Sequence, residues 1–71
     1  MRQAAFVTRS PEILGGTPVF TGTRVPVQTL LDHLEAGDRL ADFLESFPSV
    51  KREQAVGFLE EAAKALLDRV A

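Results

Sequence analysis

The apolar residues of this chain change their spacing near Val27. From that position onward they recur every three or four residues, as in Leu30, Leu31 and Leu34, which is the spacing of one face of an α-helix. The pattern predicts three helices in succession, the first of them over about 27–36.

Glycine and proline mark where the predicted helices end. Gly37 follows the first helix, where the left-handed conformation that glycine adopts easily closes the last turn. Asp38 is then the expected N-cap of the second helix, because its carboxylate can accept from free backbone N–H groups one turn later. Pro48 ends that helix, since the residue before a proline is pushed out of the helical conformation. The apolar face of the second helix is formed by Leu40, Phe43, Leu44 and Phe47.

The third predicted helix, over about 51–70, is the longest and has a wide apolar face. Its apolar residues cover about 200° of the helix circumference. The apolar stripe of an ordinary surface helix is about 100° wide or slightly more. We expect the additional arc to be buried against a second chain. The alternative is that its alanines are good helix formers left on the surface. The residues of this arc that are predicted to contact a partner are Phe58, Leu59, Ala62 and Leu66.

The region before Val27 has the residue types of short strands and turns. Residues 18–20 and 24–26 are two β-favouring runs around a turn that contains Gly22, which predicts a small hairpin. Its prolines cannot donate to a strand ladder, so the hairpin is expected to be short and to lie at an edge. Residues 6–8 could form a further short strand.

Together these elements predict an α+β, mainly α fold, in which a short N-terminal β-hairpin lies on a three-helix, helix-turn-helix-like bundle of homeodomain type. A single domain is expected over 1–71, with the hairpin region over about 6–26 and the bundle over about 27–70. A chain of this size buries only about 60% of its unfolded surface, and such small cores often rely on a partner subunit. We therefore expect a homodimer, formed through the hairpin or the third helix.

Composition excludes several classes of protein. The chain is 45% apolar and 25% charged, which is ordinary for a globular domain. The lack of cysteine excludes disulfides and cysteine-bound zinc. No apolar stretch approaches about 18 residues and the start does not resemble a signal peptide, so we expect a cytoplasmic protein without membrane contact. The net charge of −2 argues weakly against a dominant nucleic-acid interface.

The sequence offers little catalytic chemistry. His33 is the only imidazole, and it is expected to be an ordinary surface or partly packed side chain. Gly15 and Gly16 faintly resemble a phosphate loop, but the Lys and Ser or Thr of such a loop do not follow, and a hairpin rather than a helix comes next. We therefore predict a protein that is not an enzyme and that has no cofactor, metal or small-molecule substrate.

The link between the second and third helices, at about 48–50, is short enough for a helix-turn-helix, with the third helix as the DNA reader. The first residues of that helix include Lys51, Arg52 and Gln54, whose side chains suit guanine edges, phosphates and adenine. Arg39 could add a phosphate contact from the start of the second helix. The alternative is that these residues form an ordinary solvent-exposed helix start.

Residues 13–27 read ILGGTPVFTGTRVPV, which strongly resembles the pattern ILGGxPVIxGTRIPV of the bacterial and archaeal domain of unknown function 433 family. The likeness extends over about 7–65. The positions that match the pattern include Gly15, Gly16, Gly22, Thr23, Arg24 and Pro26, to which the family assigns no catalytic role. We interpret the glycines as turn residues, and Arg24 as a donor that ties the hairpin to carbonyls or a carboxylate, or that reaches a toxin or a phosphate.

The resemblance implies a helix-turn-helix fold similar to that of VapB-like antitoxins. It further implies a protein that binds and inhibits a PIN-like ribonuclease toxin, and that represses the shared operon as a dimer on operator DNA. Two features depart from this pattern. Lys51 replaces the usual capping Thr, and no long tail follows the third helix, so toxin binding is expected to use the hairpin or the folded helices. The alternative is a protein-interaction module without a DNA role, whose hairpin adds a strand to a partner's sheet.

Overall fold

The computed structural model describes residues 6–70, which form two short strands followed by three helices. This confirms the predicted α+β, mainly α fold class. The strands and helices are β1 (Val7–Thr8), β2 (Val19–Phe20), α1 (Val27–Glu35), α2 (Leu40–Ser46) and α3 (Arg52–Val70), with a single 3₁₀ turn at Leu14–Gly16 between the strands.

The sheet has two antiparallel strands, β1 and β2, in which Val7 lies opposite Phe20 and Thr8 lies opposite Val19. The predicted partner of β2 in the sequence, residues 24–26, lies on the other side of β2 but does not form a full strand. It makes only an isolated bridge between Val19 and Pro26. Proline has no N–H to donate and α1 begins at the next residue, so the ladder stops after one bridge.

Thr23 stabilises the turn between β2 and residues 24–26, which we call the hairpin turn. Its backbone N–H donates to the carbonyl oxygen of Phe20 (2.9 Å), and its Oγ1 hydroxyl donates to the same oxygen (2.8 Å). The same hydroxyl oxygen accepts from the backbone N–H of Val25 (3.0 Å). Gly22, with a φ of +79°, supplies the left-handed residue that the turn requires.

Gly37 closes the last turn of α1, as the sequence predicts. The backbone N–H of Gly37 donates to the carbonyl oxygen of Leu34, and that of Asp38 donates to the carbonyl oxygen of His33 (both 3.0 Å). With Gly37 at a φ of +93°, these two bonds form a Schellman motif, which satisfies carbonyl groups at the end of the helix.

The predicted N-cap of α2 was wrong by one residue. Arg39, not Asp38, occupies the N-cap position, and the carboxylate of Asp42 accepts from the backbone N–H of Arg39 (3.0 Å). Asp38 is not available for this role, because it completes the end of α1 and its carboxylate accepts from Nδ1 of His33 (2.9 Å).

The core lies between β2 and the three helices, and Phe20 is at its centre. The ring of Phe20 is 6.2 Å from that of Phe43 on α2 and 5.8 Å from that of Phe58 on α3, measured between centroids. Phe20 and Phe43 are fully buried. The cluster of buried residues comprises Phe20, Leu30, Phe43, Val50 and Ala55.

Only the first part of α3 takes part in this core. Phe58 and Leu59 are half-buried against it, whereas every residue from 60 to 70 is exposed. At about 1.5 Å per residue, the last eleven residues extend for about 16 Å. Among the described residues, no helix is apolar and long enough to cross a membrane.

Candidate functional site

Lys51 and Arg52 lie at the start of α3, where both are exposed. Within the described part of the chain, the ion pairs are His33–Asp38 and Arg39–Asp42, so neither Lys51 nor Arg52 has a carboxylate within 4.0 Å. Their cationic groups are therefore available to a ligand.

The position of these two cations is unfavourable for the helix itself. The first turn of a helix carries a partial positive charge, so each cation there costs about 0.3–1 kcal/mol when it is exposed at low salt. Glu53 in the same turn offsets part of this repulsion. Helix stability therefore does not explain why cations stand at positions 51 and 52. We favour a binding role for both residues.

The amide of Gln54 is engaged within the chain. Its Oε1 accepts from the backbone N–H of Lys51 (3.0 Å), which supplies the cap that the start of α3 otherwise lacks. Its Nε2 donates to the carbonyl oxygen of Thr21 in the hairpin turn (2.8 Å). These two bonds hold the amide against the chain, so the geometry favours a structural role for this residue.

Arg39 lies at the start of α2, and its charge is partnered by Asp42. Nη2 of Arg39 lies 3.2 Å from Oδ1 of Asp42, and Nε donates to Oδ2 over 3.4 Å. The hydrogen bond from this side chain, followed by the one from the Arg39 backbone, holds the pKa of the Asp42 carboxyl below its ordinary value. Arg39 is therefore a weaker candidate for phosphate contact than the unpaired cations of α3.

The remaining residues of the glycine-rich motif have two different environments. Gly15 and Gly16 have φ angles of +66° and +97° in the 3₁₀ turn, and the carbonyl oxygen of Gly16 accepts from Nε of Arg9 (2.7 Å). This segment is a structural turn. Arg24, in contrast, is exposed and has no carboxylate within 4.0 Å among the described residues.

Two open hollows lie beside the hairpin turn, and both have Gly22 and Ser49 among their lining residues. One, of about 450 Å³, is also lined by Arg24, and the other, of about 490 Å³, is also lined by Lys51. We call the two hollows together the turn groove. Ser49 was not predicted as a site residue, because its approach to Gly22 depends on how the helices pack against the hairpin.

His33 is half-buried, in keeping with its predicted role as a partly packed side chain. Its ring lies edge-on to the rings of Phe43 (5.6 Å between centroids) and Phe47 (5.7 Å). The described residues contain no group of three His, Cys, Asp or Glu side chains that could hold a metal ion. That the protein is not an enzyme stays a prediction.

The exposed end of α3, residues 60–70, forms a second candidate surface. Three large apolar side chains lie there in water: Leu66 is 56% exposed, Leu67 62% and Val70 70%. Of the predicted contact residues, Ala62 and Leu66 lie on this surface, whereas Phe58 and Leu59 pack against the domain core.

Comparison with known proteins places the chain among relatives without an assigned activity. It is 50% identical over 48 residues to the uncharacterized protein y4eO of Sinorhizobium fredii (strain NBRC 101917 / NGR234), a match that covers 68% of this chain and 22% of the relative. The chain thus spans less than a quarter of that relative.

A solved structure supports the fold. The crystal structure of a DUF433 member protein from Anabaena variabilis ATCC 29413 superposes with a TM-score of 0.70 at 24% sequence identity, covering 92% of this chain and 66% of that one. The family described as "Protein of unknown function (DUF433)" matches residues 7–62, which is most of the sequence. This chain therefore belongs to the DUF433 family.

Proposed function

We propose that this domain is a non-enzymatic antitoxin that binds a partner protein through the exposed end of α3. The observation that carries the proposal is the exposure of Leu66, Leu67 and Val70 along one projecting stretch of helix. Contiguous exposed apolar side chains are typical of surfaces that another protein covers. The partner implied by the family resemblance is a PIN-like ribonuclease toxin, which the domain inhibits by covering its active site.

The apolar face of α3 continues without interruption from the core to this end. Ala55 is buried in the core, Leu59 is half-buried, and Leu66 is exposed, although all three lie on the same side of the helix. The first two turns are covered by the domain itself, so the last turns present the same kind of surface to a partner. A homodimer in which a second copy covers this face is the other arrangement that it supports.

The test uses the full chain and a PIN-like ribonuclease, the class of toxin that the family resemblance implies. A triple variant, Leu66→Ser, Leu67→Ser and Val70→Ser, removes the apolar face. The matched control, Glu61→Ser, Lys64→Ser and Asp68→Ser, makes the same number of serine substitutions in the same turns at exposed polar positions. RNA cleavage by the ribonuclease is measured as each protein is added.

We expect the unchanged chain and the control to abolish cleavage near equimolar ratio, and the apolar-face variant to fail. Sedimentation of the chain alone at micromolar concentration measures the homodimer in the same samples. Full cleavage in the presence of the unchanged chain would refute the antitoxin proposal. Inhibition that the apolar-face variant retains would refute the role of the α3 end.

A second candidate function, DNA binding, is favoured by the unpaired Lys51 and Arg52 at the start of α3. The link from α2 to α3 spans residues 47–51, and in a helix-turn-helix protein the helix that follows such a link is the recognition helix. The protein would then repress its own operon, with the cations contacting phosphates and guanine edges. Gln54 is not included in this interface, because its amide already bonds to the backbone of Lys51 and of Thr21.

Duplex DNA from the region upstream of the gene tests this function by fluorescence anisotropy. Affinity should fall as salt rises from about 50 to about 200 mM, with a slope of about −0.9 per phosphate neutralised. Arg52→Ala should weaken binding by about 1–3 kcal/mol if Arg52 reads a base, and Lys64→Ala should leave it unchanged. Absence of binding at low salt would favour the interaction module, whose hairpin adds a strand to a partner's sheet.

A further inference from the structure

The turn groove is lined by several hydrogen-bond donors that have no partner in the described part of the chain. The Arg24 guanidinium and the hydroxyl of Ser49 make no hydrogen bond or ion pair to protein there, and both residues are exposed. Lys51 lines the other hollow of the groove, together with Ser49. Two cations and a hydroxyl therefore border the turn groove.

Acidic side chains are scarce in this depression. The hollow that Arg24 lines has no acidic side chain among its described lining residues, and the hollow that Lys51 lines has one, Glu53. The groove is thus locally basic on a chain whose net charge is −2. An anionic group would be attracted to this locally basic region.

The shape of the groove leaves room for such a group. Gly22 lines both hollows, and a side chain added at Gly22 would point into open space, with no atom within 4 Å. The hydrogen bond from Gln54 to Thr21 fixes the hairpin turn against the first turn of α3. Arg24 and Lys51 are therefore carried by two segments that are joined directly.

We propose that the turn groove binds phosphate groups of a nucleic-acid backbone, with Arg24 and Lys51 each as a charged contact and Ser49 as a neutral donor. Guanidinium, ammonium and hydroxyl groups are the ordinary protein contacts of backbone phosphate. The inference rests on the DNA-binding function proposed above and adds a second contact region to it, since Arg24 lies on the hairpin turn rather than on α3. Such a contact sets the position of the protein on the duplex and carries no sequence preference.

The first test measures duplex binding by the full chain across a salt series. Arg24→Ala should reduce the slope of log affinity against log salt by about 0.9, which corresponds to one phosphate contact. It should weaken binding to the upstream duplex and to a scrambled duplex by the same factor. Arg24→Lys should keep the slope and lose part of the affinity, because the charge remains but the forked donor geometry does not. Lys64→Ala, which removes a cation from the exposed end of α3, is the control and should change nothing.

The second test separates this site from the DNA-binding function. Inorganic phosphate is added to the labelled chain, and backbone NMR shifts are followed with chloride at equal ionic strength as the control. We expect saturable shifts at Gly22, Arg24 and Ser49 that Arg24→Ala abolishes. Phosphate shifts without duplex binding would refute the DNA function but retain the anion site.

Duplex binding that depends on Arg52 but is unchanged in Arg24→Ala would overturn the proposed site and leave the DNA function standing. Shifts that chloride produces equally well would also overturn it. A single-stranded RNA of the same length distinguishes the source of the phosphate. Tighter binding of that RNA than of the duplex would refute operator DNA as the ligand while supporting the groove as a backbone contact.

Discussion

Gln54 on α3 and Thr21 in the hairpin turn are joined by a hydrogen bond of 2.8 Å from the side-chain amide to the carbonyl oxygen, across 33 positions of sequence. The other end of the same amide caps α3 by accepting from the backbone N–H of Lys51. One side chain thus sets where α3 begins and how the hairpin turn is placed against it. The relative position of Arg24, on the hairpin turn, and Lys51, at the start of α3, depends on this arrangement.

Replacing Gln54 by alanine should lower the free energy of unfolding by about 1–2 kcal/mol, because two hydrogen bonds of a half-buried amide are lost. Urea unfolding followed by circular dichroism measures the change. Gln28→Ala is the matched control, since its amide bonds only to Asp32 on the exposed side of α1, and it should cost less than about 0.5 kcal/mol. Equal losses in the two variants would show that the link to Thr21 does not stabilise the fold.

Gly57 is buried on α3 against the ring of Phe6, and a Cβ at this position would overlap that ring. Alanine is favoured over glycine in a helix interior by about 1 kcal/mol. In the Phe6→Ala background, Gly57→Ala should therefore stabilise the protein by about that amount. In the unchanged background the gain should be smaller or reversed, because the ring has to move.

Urea unfolding of the four proteins in this double-mutant cycle gives the coupling between the two sites. The same gain from Gly57→Ala in both backgrounds would contradict the contact between α3 and Phe6.

Large apolar residues in the core and at the end of α3 should respond differently to truncation. Phe43 is fully buried between aromatic rings, so Phe43→Ala should lower the free energy of unfolding by about 3–5 kcal/mol. That loss is comparable to the whole stability of a domain this small, so most molecules should be unfolded. Leu67 is 62% exposed, so Leu67→Ala should change stability by less than about 0.5 kcal/mol. Thermal unfolding at low protein concentration, where a dimer would dissociate, measures both. A large loss in Leu67→Ala under those conditions would mean that α3 is covered within a single chain.

The pair of Arg39 and Asp42 predicts a pH dependence at acidic pH. Hydrogen bonds from the Arg39 side chain and backbone lower the pKa of Asp42 in the folded protein. The ionised carboxylate therefore stabilises the fold above the ordinary aspartate pKa of about 3.9, and this contribution is lost as the pH falls through the lowered folded-state value. The stability difference between the unchanged protein and Asp42→Asn should accordingly shrink from about pH 6 to about pH 2.

Urea midpoints over this pH range provide the measurement. In the Arg39→Gln background the side-chain partner is absent, so the pH dependence of the Asp42→Asn difference should be smaller. A difference that stays constant with pH in the unchanged background would contradict the lowered pKa.

The helices were predictable because their signals are local. Apolar spacing fixes which stretches are helical, and Gly37 and Pro48 end two of them through the conformations of single residues. The caps were less predictable, since several nearby side chains compete for the same backbone groups. The carboxylate of Asp38 bonds to His33 and its backbone N–H closes the end of α1. Arg39 and Asp42 therefore form the cap of α2 instead.

The sequence by itself determined the fold class, the family motif and the excess of apolar surface on the last helix, because residue type and spacing carry all three. Only the tertiary structure decided that β2 pairs with β1, that the amide of Gln54 is occupied, and that Ser49 and Arg24 border one groove. These relationships join residues from about 10 to over 30 positions apart, and their distances depend on how the helices pack around Phe20, which no local pattern specifies.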